Sequence, residues 1–112
     1  MVLIRIVIVD EKGSGGQIER AIGAALVANE IHNPDLELVH DLDAVVASLE
    51  EGDVNAVVVN GSLKHLNLKD LGEYCLVAEV PLYLFGQGKV FDGITNVQHP
   101  SEVAALIVQR YL

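Results

Sequence analysis

The first strand-like stretch of the chain, Ile4-Arg5-Ile6-Val7-Ile8-Val9, is a run of aliphatic residues that stops at two adjacent carboxylates, Asp10 and Glu11. An unbroken Val/Ile run suits a strand buried on both faces, as in a parallel sheet covered by helices. Val2 to Val9 is therefore read as the first strand. Ile18, Ala21, Ile22, Ala25 and Leu26 then recur at helical spacing and predict a helix from about Gly15 to Glu30. Ser14 is its expected N-cap, with Gln17 completing a capping box. After Asn33-Pro34-Asp35, Leu36 to Val39 reads as a short second strand. Asp41 or Asp43 caps a helix over Ala44 to Glu51, which Gly52 terminates. Val54 to Val59 is a third buried strand, ending at Asn60-Gly61.

Leu63, Leu66, Leu68 and Leu71 suggest a loop and then a short helix from about Lys69. Asn60-Gly61 is also a hairpin signal, but the residues that follow lack the β-branched side chains a return strand needs. Pro81 opens a fourth strand, Leu82 to Phe85, and Gly86-Gln87-Gly88 ends it. Ile94 to Val97 is a fifth strand. A final helix runs from Glu102 to Tyr111 with Val103, Ala104, Ile107 and Val108 inward. Strands alternating with helices give a three-layer α/β/α sandwich around a five-stranded, mainly parallel sheet. At this length the flavodoxin-like order 2-1-3-4-5 is expected, with residues 1–112 forming one domain.

One connection is short. Seven residues, Gln87 to Gly93, separate the fourth and fifth strands. Fully extended they reach roughly 23 Å, enough to return along a short strand but not to build a helix on the way. Either the fourth helix is short or missing, or the fifth strand is reversed. The surface a missing helix would leave bare, around Tyr83, Val90 and Phe91, is the expected contact for a homodimer or a partner protein.

Composition narrows the function classes. The chain has 16 acidic and 7 basic residues among 112, a net charge of −9, and is 51% hydrophobic. Phosphate backbones and anionic membranes call for clustered Lys and Arg, so neither is an expected partner. No basic segment precedes the first apolar run and no apolar stretch is long enough to span a bilayer. Cys75, the single cysteine, excludes an internal disulfide and fits a reducing cytoplasm. It falls in an apolar helical stretch, where a thiol is more often core than reactive.

Candidate chemistry gathers where the strands end. Ligand groups in open parallel sheets cluster at the carboxyl ends of the strands, where Asp10 and Glu11 stand. They read either as a solvated strand end or as ligands of a cation such as Mg²⁺, with Asn60 adding an amide oxygen. Gly13-Ser14-Gly15-Gly16 reads as a flexible helix cap rather than an anion cradle, because it lacks the Lys and Ser/Thr of a P-loop. His32, His40, His65 and His99 show no zinc-site spacing.

This ordered set of residues resembles the receiver domain of two-component response regulators over nearly the whole length. The segment from Asp41 to Asn60 follows receiver spacing most closely, the acidic pair is Asp10-Glu11, and Pro81 and Pro100 match the receiver prolines. The departures lie at the chemistry. Asn60 stands where receivers carry the phosphoacceptor aspartate, Gly86 where they carry Thr or Ser, and His99 where they carry lysine. An amide is not a nucleophile toward phosphoryl groups, and without the lysine a fixed charge on the transferred group is missing.

The resemblance thus implies a degenerate receiver, a regulatory protein-interaction module that is not phosphorylated at the usual site and is not an enzyme. The alternative is a small-ligand or metal-binding protein, or an enzyme, using the strand-end site of Asp10, Glu11 and Asn60. If His99 keeps the lysine's place, it is expected to pair with Asp10 or Glu11.

Overall fold

The computed structural model describes residues 3–11, 16–60, 67–86 and 94–111. Its elements, in chain order, are β1 (Arg5–Val9), α1 (Gln17–Ala28), β2 (Asp35–Val39), α2 (Leu42–Glu51), β3 (Ala56–Asn60), α3 (Leu68–Ala78), β4 (Leu82–Phe85), β5 (Ile94–Val97) and α4 (Pro100–Tyr111). The five strands form one sheet in the order β2-β1-β3-β4-β5. Every pairing is parallel, β4 with β5 included, so the fifth strand is not reversed. This is the flavodoxin-like topology.

The sheet is sealed on both faces by alternation along its central strands. Val7, Val9, Val57, Val59, Leu82 and Leu84 point to one side, where Val45 of α2 and Leu71 and Cys75 of α3 meet them. Ile6, Ile8, Ala56, Val58 and Tyr83 point to the other, against Ile22 and Leu26 of α1 and Val103 and Ile107 of α4. Burial pushes the Cys75 thiol up to about 12, so it stays protonated and inert, as its apolar surroundings suggested.

Helix ends follow local chemistry. Asp41 caps α2 by accepting from the Ala44 N–H at 2.8 Å, and Asn67 caps α3 by accepting from the Asp70 N–H at 3.1 Å. The cap of α1 is not Ser14. The helix starts later than the sequence suggested, and Gly16, in the left-handed region at φ 70°, holds the cap position. Ser14 lies outside the described residues, as do Gly13, Gly15 and Gly61.

Two expectations about the β4–β5 region need restating. No helix lies between these strands among the described residues, while 87–93, with Val90 and Phe91, fall outside them. Tyr83 is not a surface residue: it is 4% exposed, inside the α1/α4 core. The reason is that α1 and α4 cover this face of β4. Burial accordingly raises the pKa of the Tyr83 phenol above its ordinary value.

Arg5 opens β1 and is the one charged side chain in that strand. Its guanidinium donates to Glu37 at 2.9 Å, to Glu51 at 3.2 Å and to the Gly52 carbonyl at 3.2 Å. The hydrogen bond to Glu37, then that to Glu51, raises its pKa further. A cation at the C-terminal end of α2 also suits the helix dipole.

A glycine sets how α3 lies on the sheet. A Cβ added at Gly72 would meet Ile94 Cδ1 at 3.6 Å, an ordinary contact, whereas one at Gly23 would meet Leu36 Cδ1 at 3.2 Å. Alanine outranks glycine in a helix interior by about 1 kcal/mol. Gly72→Ala should therefore raise the melting temperature by about 2–4 °C, and Gly23→Ala by less, because Leu36 must yield. Thermal melts of the two variants check this; a lower melting temperature for Gly72→Ala would mean that Ile94 cannot share the space. Val57, fully buried on β3, sets the opposite limit. Val57→Asp should leave no cooperative unfolding transition, since an isolated buried charge costs several kcal/mol or more against a total of about 5–15 kcal/mol.

Candidate functional site at the carboxyl edge of the sheet

Three neighbouring strands end alike. The parallel register places Val9 opposite both Val39 and Val59, so the next residues, Asp10, His40 and Asn60, form a polar row across the carboxyl edge of β2, β1 and β3. Asp10 is the middle member and is only 2% exposed. A carboxylate so far from water needs donors, and it has them. Its Oδ1 accepts from Asn60 Nδ2 at 2.9 Å and from the Glu11 backbone N–H at 2.8 Å. The Asp10 N–H donates to the Val39 carbonyl at 3.1 Å, and the Asp10 carbonyl accepts from His40 Nδ1 at 2.9 Å. The acid is thus tied to both flanking strands.

The structure brings together only part of the expected set. Asp10 and Asn60 are in direct contact. Glu11 is exposed and takes part through its backbone. Gly86 closes β4 at φ 96°, in the left-handed region, and its N–H donates to the Val97 carbonyl at 3.2 Å. A Thr or Ser there would be strained, so the hydroxyl that receivers carry has no easy place on this backbone.

His99 does not pair with Asp10 or Glu11. Its side chain is exposed, and its carbonyl accepts from the Glu102 N–H at 3.0 Å in the turn that opens α4. The strand order explains this. β5 lies three strand spacings from β1, roughly 14 Å, which is farther than an imidazole reaches.

The donor set also bears on the cation reading. Mg²⁺ wants several oxygens in near-octahedral array. Asn60 turns its amide nitrogen, not its oxygen, toward Asp10, and Oδ1 of Asp10 already holds two N–H donors. Among the described residues no three His, Cys, Asp or Glu side chains converge as a metal centre requires. Asp10, Glu11 and Asn60 as they stand do not fit a bound Mg²⁺.

His40 is the member that the sequence reading passed over, because it was weighed only for zinc spacing. The signal was nonetheless present: Val-Asp, Val-His and Val-Asn each close a strand of the same sheet. Among the described residues no helix is long and apolar enough to cross a membrane. Comparison with models of known protein families and with curated protein sequences finds no match.

The amide at position 60 gives Asp10 Oδ1 a donor at 2.9 Å. Asn60→Asp would set a second carboxylate within hydrogen-bonding distance of Asp10 Oδ1, where Asn60 Nδ2 now lies at 2.9 Å. Two carboxylates so close cannot both ionise readily, and one pKa rises. The folded variant then keeps a proton that the unfolded chain releases near pH 3.9. Its penalty is absent below that value and grows as pH rises toward the folded pKa. Urea melts at pH 3.5 and pH 7 should show the variant close to the parent in acid and about 1–3 kcal/mol weaker at neutrality. An equal deficit at both pH values would show that the loss is steric and that Asn60 is not a charge-compensating donor.

Proposed function

We propose that the chain is a receiver-like regulatory module that works by binding protein and takes no phosphoryl group at its strand-end site. The observation that carries this is the hydrogen bond from Asn60 Nδ2 to Asp10 Oδ1 at 2.9 Å. In a receiver the residue at the end of the third strand is the nucleophile. Here the same place holds an amide, which cannot attack phosphorus and which fills the donor role that a cation would otherwise take toward Asp10.

Two further features support the reading. The strand order β2-β1-β3-β4-β5 is that of receivers, so the resemblance is not confined to isolated motifs. The backbone at Gly86, at φ 96°, disfavours a switch hydroxyl, and His99, exposed at the start of α4, supplies no cation to the edge. With an amide at the nucleophile's place, and no switch hydroxyl or cation at this edge among the described residues, the reading leaves the fold to act through its surfaces. A cytoplasmic location accords with this role and with the buried, protonated Cys75.

Acetyl phosphate, or beryllofluoride with Mg²⁺, added to the purified chain should give no adduct by mass spectrometry and no amide shift at Asp10, His40 or Asn60 by NMR. A stable beryllofluoride complex at that edge would overturn the proposal.

A further inference from the structure

The two helical layers are unequal. On one face α1 and α4 pack closely along each other, while on the other α2 and α3 meet only sparingly. α3 lies out toward the edge strand, with Gly72 over Ile94 of β5. A groove of about 400 Å³ results, lined by Leu42 at the start of α2 and by Asp70, Glu73, Tyr74 and Val77 of α3. Its apolar lining is wet: Tyr74 is 48% exposed and Val77 86%. A valine left so open beside a tyrosine on one helix face marks an interaction surface more than a random surface residue does.

Among the described residues that line the groove, the charged ones are acidic. Asp70 and Glu73 line the groove, and Asp43 follows Leu42 in α2. α2 has no basic residue, and Lys69 is the only one in α3. We infer that the α2–α3 groove docks an amphipathic helix of a partner protein that lays an apolar ridge on Leu42, Tyr74 and Val77 and sets Lys or Arg against Asp70 and Glu73. The inference rests on the protein-binding reading above for the kind of partner, and on the groove alone for the surface.

Other occupants fit less well. A second copy would bring a net charge of −9 against a rim already acidic. A small molecule would be left largely uncovered over Val77. A helix matches the dimensions: Asp70 to Val77 spans two turns, about 10 Å, which meets partner anchors at i, i+4 and i+7.

The test uses the whole chain labelled with ¹⁵N and a synthetic helical peptide of about fourteen residues with Leu at that spacing and Lys elsewhere. Controls are a scramble of the same composition, which keeps the charge and loses the ridge, and a version with Glu for Lys. The amphipathic peptide should shift the amides of Leu42, Tyr74 and Val77 and bind at least about tenfold tighter than either control. Val77→Glu, at a side chain too exposed to affect folding, should weaken it by a similar factor while leaving the melting curve unchanged. Equal binding of the scramble, shifts confined to other surfaces, or no binding at millimolar peptide would overturn the inference. So would a dimer in sedimentation that Val77→Glu dissolves, which would assign the groove to a second copy. A beryllofluoride adduct at Asn60 would remove the degenerate-receiver reading and leave the groove result standing, so the two can fail separately.

Discussion

Both faces of β1 and β3 are buried, and the arrangement of the molecule follows from that condition. A strand with no wet face cannot carry polar side chains along its length, so the alternating residues must all be aliphatic, and helices must cover both sides. Along these two strands polar groups are then confined to the ends. At the amino edge, Arg5 is held in place by Glu37, Glu51 and the Gly52 carbonyl. At the carboxyl edge, Asp10, His40 and Asn60 form a row. The site is therefore a product of sheet geometry: parallel strands in register, each with a polar residue directly after its last valine.

That geometry sets what the edge can do. Asp10 is deep enough to need compensation, and among the described residues its neighbours supply it with N–H donors. A buried carboxylate satisfied by amides is a static solution. It ties together the ends of three strands. The reactive version of such an edge would leave its charge partly uncompensated, ready for an incoming group. The difference lies in one atom pair, the amide nitrogen of Asn60 against Asp10 Oδ1.

Much of this was legible in the sequence where burial dictates pattern. The bounds of β4 and β5, the strand order and the Asp41 cap all follow from aliphatic runs and local capping chemistry. Positions that depend on relations between elements were harder to read. Tyr83 reads as surface only if its face of β4 lacks a covering helix, and α1 and α4 cover it. His99 reads as a partner of Asp10 only if the turn after β5 points back along the sheet, whereas it opens α4 instead. The orientation of the Asn60 amide and the packing of Gly72 on Ile94 have no one-dimensional signature.

The electrostatic consequences of the two edges differ in range. The charges of Arg5 and Asp10 are spent on near neighbours, and a compensated charge projects little field. Most of the other acids among the described residues stand on helices and connecting segments, and a net charge of −9 gives the surface a sustained negative potential. Such a potential accelerates encounter with cationic partners and slows encounter with anionic ones, without fixing where a partner lands. Landing needs apolar area that water leaves readily, and Tyr74 and Val77 of α3 offer it beside Asp70 and Glu73. Attraction and anchoring thus coincide on the α2–α3 face. On the opposite layer, α1 and α4 have closed against each other and hold their large apolar side chains, Val27 excepted, wholly or partly inside.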